Sequence, residues 1–388
     1  MRVAIITENF LPKLDGVTRT LARLLEHLHM QGHQAILLGP ENGMDYYAGA
    51  QIVGTSGVPL PFYPELKFHF FRPLFIRRLN EFQPDIVHLA DPVVLGAAGL
   101  AAARFLNKPV VSSYHTNLAA YCGHFGFPML TQPMWTYNRF IHNQSALTFC
   151  PSPSTASMLH TQGFEHVRIW PRGVDTALFQ PSKRSTELRA SWLAGQKDAD
   201  TKAVLLYAGR ISWEKNLHLL TQAYRAMDHD RAHLVLVGDG PALKEVKQEL
   251  AGLPVTFTGY LQGEQLAAAY ASADIFAFPS TSETFGQVVL EAMASELPVV
   301  GVLAEGVCDL VQDGSSGFLL DVAGLDAEEQ ARSYRIRLEH LVYNAPLRST
   351  MSQAALKEAR QRSWSAAMQC LFDGYHEVIM DARPLVAA

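Results

Sequence analysis

Short, uninterrupted apolar runs alternate with helix-patterned stretches, and this alternation is played out twice along the chain. The first series is RVAII (2–6), AILLG (35–39), DIVHLA (85–90), PVVSSYH (109–115) and LTFCPS (147–152). The second is AVLLYAG (203–209), HLVLVGDG (233–240), VTFTG (255–259), IFAFPS (275–280), PVVGV (298–302) and GFLL (317–320). A strand that is apolar at every position has no polar face to turn to water. Such strands are buried on both sides, in parallel sheets covered by helices. The stretches between them supply those helices. Residues 17–31 place Val17, Leu21, Leu24, Leu25 and Leu28 on one face, and 96–106 is an Ala-rich helix. Further helices are expected over 215–227, 242–251, 263–272 and 286–295.

The pattern predicts an α/β chain of two similar Rossmann-like domains, 1–175 and 176–362, with the polar, Pro/Gly-punctuated stretch 171–200 as their connection. A length of 388 residues fits two domains at roughly 100–200 residues each. The tail from 327 to 380 reads as helical, and 363–379 is amphipathic enough to pack on something. Open α/β sheets bind ligands beyond the carboxyl ends of their strands, so the chemistry is expected there, facing a cleft between the domains.

Composition narrows the class. Hydrophobic residues at 48% and charged residues at 18% exclude a disordered chain, and a net charge of -5 gives no global basic field for nucleic acid. Cys122, Cys150, Cys308 and Cys370 are far apart and form no CxxC pair, which argues against a structural zinc or a disulfide scaffold. The start MRVAIITENF lacks a basic n-region followed by a long apolar run, and no membrane-spanning stretch of about 18 apolar residues occurs. The expectation is a soluble cytoplasmic protein.

Six segments at strand ends carry candidate chemistry. In SETFGQVVLEAMASELPVV (282–300), Glu283 precedes a helix that starts near Phe285 or Gly286, and Glu291 lies inside it. The free amides of such a helix start suit an anion, and the two carboxylates suit sugar and ribose hydroxyls. On charge pattern alone, the first reading is an acidic turn complementing the helix dipole. In AGRISWEKN (208–216), Arg210 and Lys215 are placed to reach one diphosphate, the first as a planar fork and the second as a point charge. The alternative is a solvated basic turn with Glu214 pairing Lys215. VGDGPALKEV (237–246), with Asp239 and Gly240, reads first as a tight turn. NFLPKLDGVTRT (9–20) puts Gly16 before a helix without a GxGxxG pattern. SSYHTN (112–117) leaves His115 at a strand end. In WPRGVDTALF (170–179), Arg172 and Asp175 flank Gly173, as in a turn with a local ion pair.

GRISWEKN, VGDGP, TGYL and SETFGQVVLEAMAS, preceded by RGVDTALF, resemble the retaining GT-B glycosyltransferases of family 4, and the resemblance runs over most of the chain. TENFLPKLDGVTRT, YHTNL and WPRGVDTALFQPSKRS are similar to GDP-mannose-dependent α-mannosyltransferases. YHTN, QPMW (132–135) and TGYLQGEQLAAAYASADIF also resemble sulfoquinovosyltransferases of sulfolipid synthesis. The resemblance implies a hexosyltransferase that uses a nucleotide-sugar donor, with GDP-mannose favoured and UDP-sulfoquinovose open as the alternative. It also implies a glycan or lipid acceptor and a final helix, 363–388, that crosses back to the N-terminal domain.

The resemblance assigns roles residue by residue. Arg210 and Lys215 bind the donor diphosphate and stabilise the leaving group. Glu283 bonds hydroxyls of the transferred sugar. Phe285, Gly286 and Gln287 offer backbone amides to the phosphates, and Glu291 holds the ribose. Gly16 lies against the diphosphate, and His115 sits near the donor sugar. Tyr260 and Leu261 flank the base, with Asp239 and Gly240 shaping the same wall. One departure stands out: the family often has a Gly-Gly pair where this chain reads AEGVCDLV (304–311), with Glu305.

The implied mechanism is front-face substitution with retention, since no carboxylates at glycosidase spacing announce a covalent intermediate. No DxD-type metal site stands out, so no metal or other cofactor is expected. A nucleotide-sugar epimerase on the same architecture is the competing enzyme class, and a non-catalytic sugar-nucleotide sensor would show a broken motif. The stretch ELKFHFFRPLFIRRLNEF (65–82) mixes Lys67, Arg72, Arg77 and Arg78 with phenylalanines. It reads either as weak peripheral contact with an anionic membrane or as a core-packed helix with a basic edge.

Overall fold

The computed structural model describes residues 1–12, 16–60, 63–69, 73–124 and 126–382. The chain divides into two compact units, Met1–Arg172 with Trp364–Ala388, and Gly173–Ser363.

In the first unit the strands are β1 (Arg2–Thr7), β2 (Gln34–Pro40), β3 (Tyr46–Tyr47), β4 (Ala50–Thr55), β5 (Gly57–Leu60), β6 (Tyr63–His69), β7 (Ile86–Ala90), β8 (Val110–Ser113), β9 (Leu147–Cys150) and β10 (Val167–Ile169). Eight of them form one sheet in the order β10-β9-β8-β7-β1-β2-β4-β3, and β5 with β6 makes a separate hairpin. All pairings in the large sheet are parallel except β3 with β4. The chain steps outward one way from β1 to β2 and β4, then returns to β7 on the other side of β1. The β1/β7 gap is therefore the switch point of this sheet.

Each face of the sheet has its own core. Helix Gly16–Met30 and the final helix Trp364–Ala382 cover one face, with Leu21, Leu24, Leu25 and Leu28 packed in one cluster with Met368, Leu371, Phe372 and Tyr375. Helices Pro73–Phe82 and Val94–Phe105 contribute Phe75, Leu79, Leu95 and Leu100 to the other. Full burial of a side chain such as Leu or Phe is worth about 1.5–3 kcal/mol, so these apolar stripes decide which helix faces turn inward.

The second unit holds β11 (Ala203–Ala208), β12 (Ala232–Val237), β13 (Val255–Gly259), β14 (Ile275–Phe278), β15 (Val299–Val302) and β16 (Gly317–Leu320). They form one parallel sheet in the order β13-β12-β11-β14-β15-β16. Counted within the unit this is 3-2-1-4-5-6, the doubly-wound Rossmann order, and its switch point lies between β11 and β14.

One expectation is corrected. The stretch 171–200 is not a bare connection. From Gly173 onward it belongs to the second unit, where Phe179, Trp192 and Leu193 join the core and Thr186–Trp192 is a helix. Ser185 caps that helix by accepting from the Leu188 amide at 3.1 Å. Arg184 and Arg189 pin the segment to Asp274 at 3.2 and 2.8 Å. Its anchors are few and irregularly spaced, so its polar surface dominates the sequence pattern. The tail after 327 is helical as expected, in three helices: Ala327–Tyr343, Ala345–Arg360 and Trp364–Ala382.

Of the basic-aromatic stretch 65–82, residues 70–72 and the side chains of 65–69 lie outside the described residues. The described part is helix Pro73–Phe82, which buries Phe75 and Leu79. Its Arg77 and Arg78 pair with Glu81 at 3.7 and 3.1 Å. Among the described residues no helix is long and apolar enough to cross a membrane.

Candidate active site

The second unit brings its two strongest sequence segments together at the switch point. After β11 the chain passes through Gly209 and Arg210 into a single 3-10 turn, Trp213–Lys215. Asn216, in the left-handed region at φ 54°, then opens helix Leu217–Arg225. After β14 comes the loop 279–286. The two loops are laced together. Lys215 Nζ donates to Glu283 Oε1 at 2.7 Å, and Ser280 Oγ donates to the same oxygen at 3.0 Å. Ser282 Oγ donates to the Glu214 carbonyl at 3.1 Å, and Asn216 Nδ2 donates to the Pro279 carbonyl at 3.2 Å.

The expected alternative, Glu214 pairing Lys215, is replaced by this arrangement. Neighbours in sequence on a helical turn point apart. Lys215 turns to Glu283, and Glu214 stands 4.0 Å from Arg210. The Lys215 and Glu283 side chains are mostly buried, at 17% and 19% exposed. Arg210, at 59%, extends into solvent.

Behind this loop the GDG turn explains itself by packing. A Cβ at Gly238 would lie 1.9 Å from the Gly209 carbonyl oxygen, and one at Gly240 would lie 2.3 Å from that of Ile211. Both glycines let the turn rest directly on the Arg210 loop, and the Ile211 amide donates to the Asp239 carbonyl at 2.9 Å. The Gly238 amide in turn donates to the Gly259 carbonyl, just ahead of Tyr260 and Leu261. Tyr260 is exposed, whereas Leu261 is half-buried against the core.

Gly286 caps helix Gln287–Ala294 in the left-handed region at φ 85°. The first turn of a helix has no intrahelical acceptors for its amides, so this end presents donors together with the positive end of the dipole. Phe285 is buried beneath it, and the Gln287 side chain donates to the Gly173 carbonyl at 3.0 Å. Glu291 sits one turn further in and is buried; Tyr270 Oη donates to its carboxylate at 3.2 Å. The helix has no acidic residue in its first turn, which removes the reading of this motif as a dipole-complementing acidic turn.

The departure at 304–311 is absorbed locally. Gly306 takes φ 75° and runs so close to the 284–285 backbone that a Cβ there would lie 2.6 Å from the Phe285 nitrogen. The required glycine is retained, and Glu305 precedes it.

Comparison with known proteins gives the family. Residues 14–178 match the family model described as Glycosyltransferase Family 4, and residues 190–358 match Glycosyl transferases group 1. A GDP-mannose-dependent alpha-mannosyltransferase of Corynebacterium glutamicum is 35% identical over 98% of this chain and 89% of its own length. The chain belongs to glycosyltransferase family 4. A sulfoquinovosyl transferase of Arabidopsis thaliana is 34% identical over 91% of this glycosyltransferase and 69% of its own length. The fold is shared with the Anabaena protein HepE, solved with UDP and glucose, at a TM-score of 0.76 and 19% identity over 97% of this chain and all of that one. The two Rossmann-like units are those of the GT-B fold, and the enzyme uses a nucleotide-sugar donor.

The first unit of the glycosyltransferase places the remaining residues. Gly16 is exposed at the start of its helix, with open space where a Cβ would stand, so among the described residues no close approach requires a glycine there. Residues 13–15 of that loop lie outside the described residues. Glu8, after β1, accepts from the amides of Val93 and Gly96 at 3.1 Å each, and its burial raises its pKa.

His115, after β8, is 7% exposed and is held at both ring nitrogens. Arg172 Nη2 lies 2.9 Å from Nδ1, and Ser113 Oγ lies 2.7 Å from Nε2. Ser113 Oγ also meets His88 Nε2 at 2.7 Å, and His88 Nδ1 meets Tyr375 Oη of the final helix at 2.5 Å. The expected local pair of Arg172 with Asp175 is replaced. Arg172 is buried, donates to the Trp170 carbonyl at 2.8 Å and lies 4.4 Å over the Trp170 ring. Asp175 accepts from the amides of Ala177 and Leu178 at 3.1 Å each.

In the second unit, Ser280, Ser282 and Tyr270 join the contacts around Glu283 and Glu291 without having been read from the sequence. In the first unit, Ser113, His88 and Tyr375 do so around His115. Ser280 and Ser282 both precede Glu283 in PSTSETFG and were open to notice; the others are ordinary core positions in sequence. Among the described residues no three His, Cys, Asp or Glu side chains cluster to hold a metal ion.

Proposed function

We propose that this enzyme transfers mannose from GDP-mannose to a lipid or glycan acceptor with retention at the anomeric carbon. The observation that carries the reading is the meeting of Lys215 with Glu283 at the β11/β14 switch point. Exposed Arg210 flanks it on one loop, and the amide end of helix Gln287–Ala294 follows on the other. GDP-mannose is favoured by the similarity to the Corynebacterium enzyme along nearly the whole of both chains.

Arg210 and Lys215 neutralise the departing diphosphate, and the amides of Phe285, Gly286 and Gln287 receive its oxygens. Glu283 accepts from hydroxyls of the transferred sugar. Because Lys215 and Ser280 already hold one of its oxygens, the carboxylate is oriented before substrate arrives. Glu291, steadied by Tyr270, takes the ribose hydroxyls. Tyr260 and Leu261 lie along the base, with Asp239 and Gly240 beside them. The acceptor hydroxyl attacks from the face that the diphosphate leaves. The C–O bond to phosphate breaks as the new glycosidic bond forms, and the proton goes to the leaving phosphate. The positive charge for this chemistry comes from side chains and backbone, and no divalent metal is required.

A lipid acceptor is supported by exposed apolar side chains on the first unit. Phe127, Met129 and Leu130, close together in sequence, stand out at 43%, 77% and 47% exposure. Such exposed apolar side chains suit peripheral contact with a membrane surface. UDP-sulfoquinovose with a diacylglycerol acceptor is the second reading, favoured by the Arabidopsis relative.

Incubation with GDP-mannose, UDP-glucose or UDP-sulfoquinovose, with and without a total lipid extract, tests the reading. Lipid-dependent release of GDP is the expected result. Release of UDP from UDP-sulfoquinovose alone would move the assignment to the second reading. Full conversion of a donor without acceptor would establish an epimerase instead.

A further inference from the structure

We propose that Arg172 is a positioning residue that fixes His115 as the neutral Nε2–H tautomer, unable to gain or lose a proton during transfer. The proposal rests on the proposed transferase function only for the placing of His115 near the donor sugar, which the family resemblance implies. The tautomer itself follows from geometry.

A guanidinium has donors and no acceptor. At 2.9 Å from His115 Nδ1, Arg172 Nη2 must be the donor, so Nδ1 carries its lone pair toward Arg172. A neutral imidazole has one proton, which then resides on Nε2 and is donated to Ser113 Oγ at 2.7 Å. Both nitrogens are thus spent inside the unit. Protonation at Nδ1 would set N–H against N–H beside a buried cation.

The surroundings enforce the same state. Arg172 faces the ring from the segment after β10, His88 from β7 and His142 from helix Thr131–His142. Asp91, after β7, accepts the His115 backbone amide at 3.3 Å, and Tyr375 closes the far side of His88. Burial first, and then Arg172, His88 and His142, push the His115 pKa well below that of a free imidazole. Arg172 is itself held rigidly, by the Trp170 carbonyl and by stacking on the Trp170 ring. Among the described residues its charge is met by carbonyls, an indole face and an imidazole lone pair rather than by a carboxylate.

A histidine held in this way performs no acid–base step. It offers a fixed, uncharged wall to the sugar. This suits a reaction in which positive charge develops on the anomeric carbon, because an imidazolium there would oppose it.

The test is ¹⁵N NMR of the full-length protein with labelled histidine, the His115 signals being assigned by their loss in His115→Gln. In the wild type, His115 is expected to show a protonated Nε2 and an unprotonated Nδ1 from pH 8 to pH 5, on the order of the usual histidine titration range. This arm needs no Arg172 variant to fold and no activity to be present. In Arg172→Met, Nδ1 loses its donor and the single tautomer should be lost. Where transfer is measured, kcat should fall about 10- to 100-fold with the donor KM little changed, as for other residues that orient a functional histidine. Arg172→Lys, which restores a donor, should recover the tautomer and most of kcat. A wild-type His115 protonated at Nδ1 or titrating in this range would overturn the proposal, and so would an Arg172→Met protein with unchanged tautomer and kcat. Lack of transfer by the wild type would count against the proposed function and leave the tautomer result to decide this one.

Discussion

Lys215 Nζ lies 2.7 Å from Glu283 Oε1, joining the loop after β11 to the loop after β14 across 68 residues of sequence. The two strands are neighbours only because the sheet order reverses between them. The bond therefore marks the place where a doubly-wound sheet opens to receive a ligand. In the proposed mechanism Lys215 has two tasks, holding a carboxylate and supplying charge to a diphosphate.

Removing either cation should expose that second task. Arg210 is largely in solvent and contributes little to packing, so Arg210→Ala should melt within a degree or two of the wild type, about the effect of an ordinary surface substitution. Its turnover should nevertheless fall by at least about 10²–10³, the usual cost of one preorganised donor at developing negative charge. Lys215→Met should lose at least as much, because Glu283 keeps only Ser280 among its two described side-chain donors. Steady-state kinetics beside a thermal melt checks both.

Tyr270 gives a subtler outcome. Its hydroxyl is a donor to the buried Glu291 carboxylate, and Tyr270→Phe removes that bond while keeping the ring. A hydrogen bond to a charged group is worth about 1.5–3 kcal/mol. The donor KM should rise while kcat holds, since the ribose stays away from the bond being broken. A fall in kcat at constant KM would assign Glu291 to the chemistry instead.

Nucleotide choice should be visible without any acceptor. A ligand at 100 times its dissociation constant stabilises the folded state by about 2.7 kcal/mol. A thermal shift with GDP larger than with UDP or ADP is expected. The dominant response to UDP would favour the sulfoquinovosyl reading.

Acid should weaken the first unit before the second. Burial foremost pushes His88 and His142 down to about 3, and His115 is also driven low. In the second unit His233 is pushed down to about 4, by burial and then by Lys202 and Arg189. The unfolded chain protonates these rings as pH falls through about 6.5, while the folded chain does not. Their stabilisation is complete above that pH and is lost downward to about 3–4, at up to about 1.4 kcal/mol per pH unit for each ring. Hydrogen exchange at pH 7.5 and pH 5 should show the larger loss of protection in β7, β8 and the final helix. Equal protection at both pH values would show that these rings are not held neutral.

Metal removal should be without effect. Activity in EDTA equal to that in magnesium is the expected result, and abolition by EDTA restored by one divalent ion would contradict it.

Much of the fold was legible because apolar runs with no polar face leave a parallel sheet as the solution; RVAII and AVLLYAG sit on β1 and β11. The strand Ala50–Thr55 was not legible, because AQIVGT is short and interrupted. Nor was the helix Thr186–Trp192, whose inward side is essentially Trp192. At the site, Arg210, Lys215 and Glu283 could be named from their own segments. Their partners could not, because the contacts join distant positions: Arg172 with His115 across 57 residues, and His88 with Tyr375 across 287. A tyrosine at 375 reads as one more apolar position of an amphipathic helix, and it is one until its hydroxyl meets a buried imidazole.

The central claim is retaining transfer at the Lys215–Glu283 site. It is tested most directly by the anomeric configuration of the product formed from GDP-α-mannose, read from the one-bond C1–H1 coupling in NMR, with Arg210→Ala in parallel. An α-linked mannoside made by the wild type and lost in the variant is the expected result. A β-linked product, or an α-linked one formed equally well by Arg210→Ala, would contradict it.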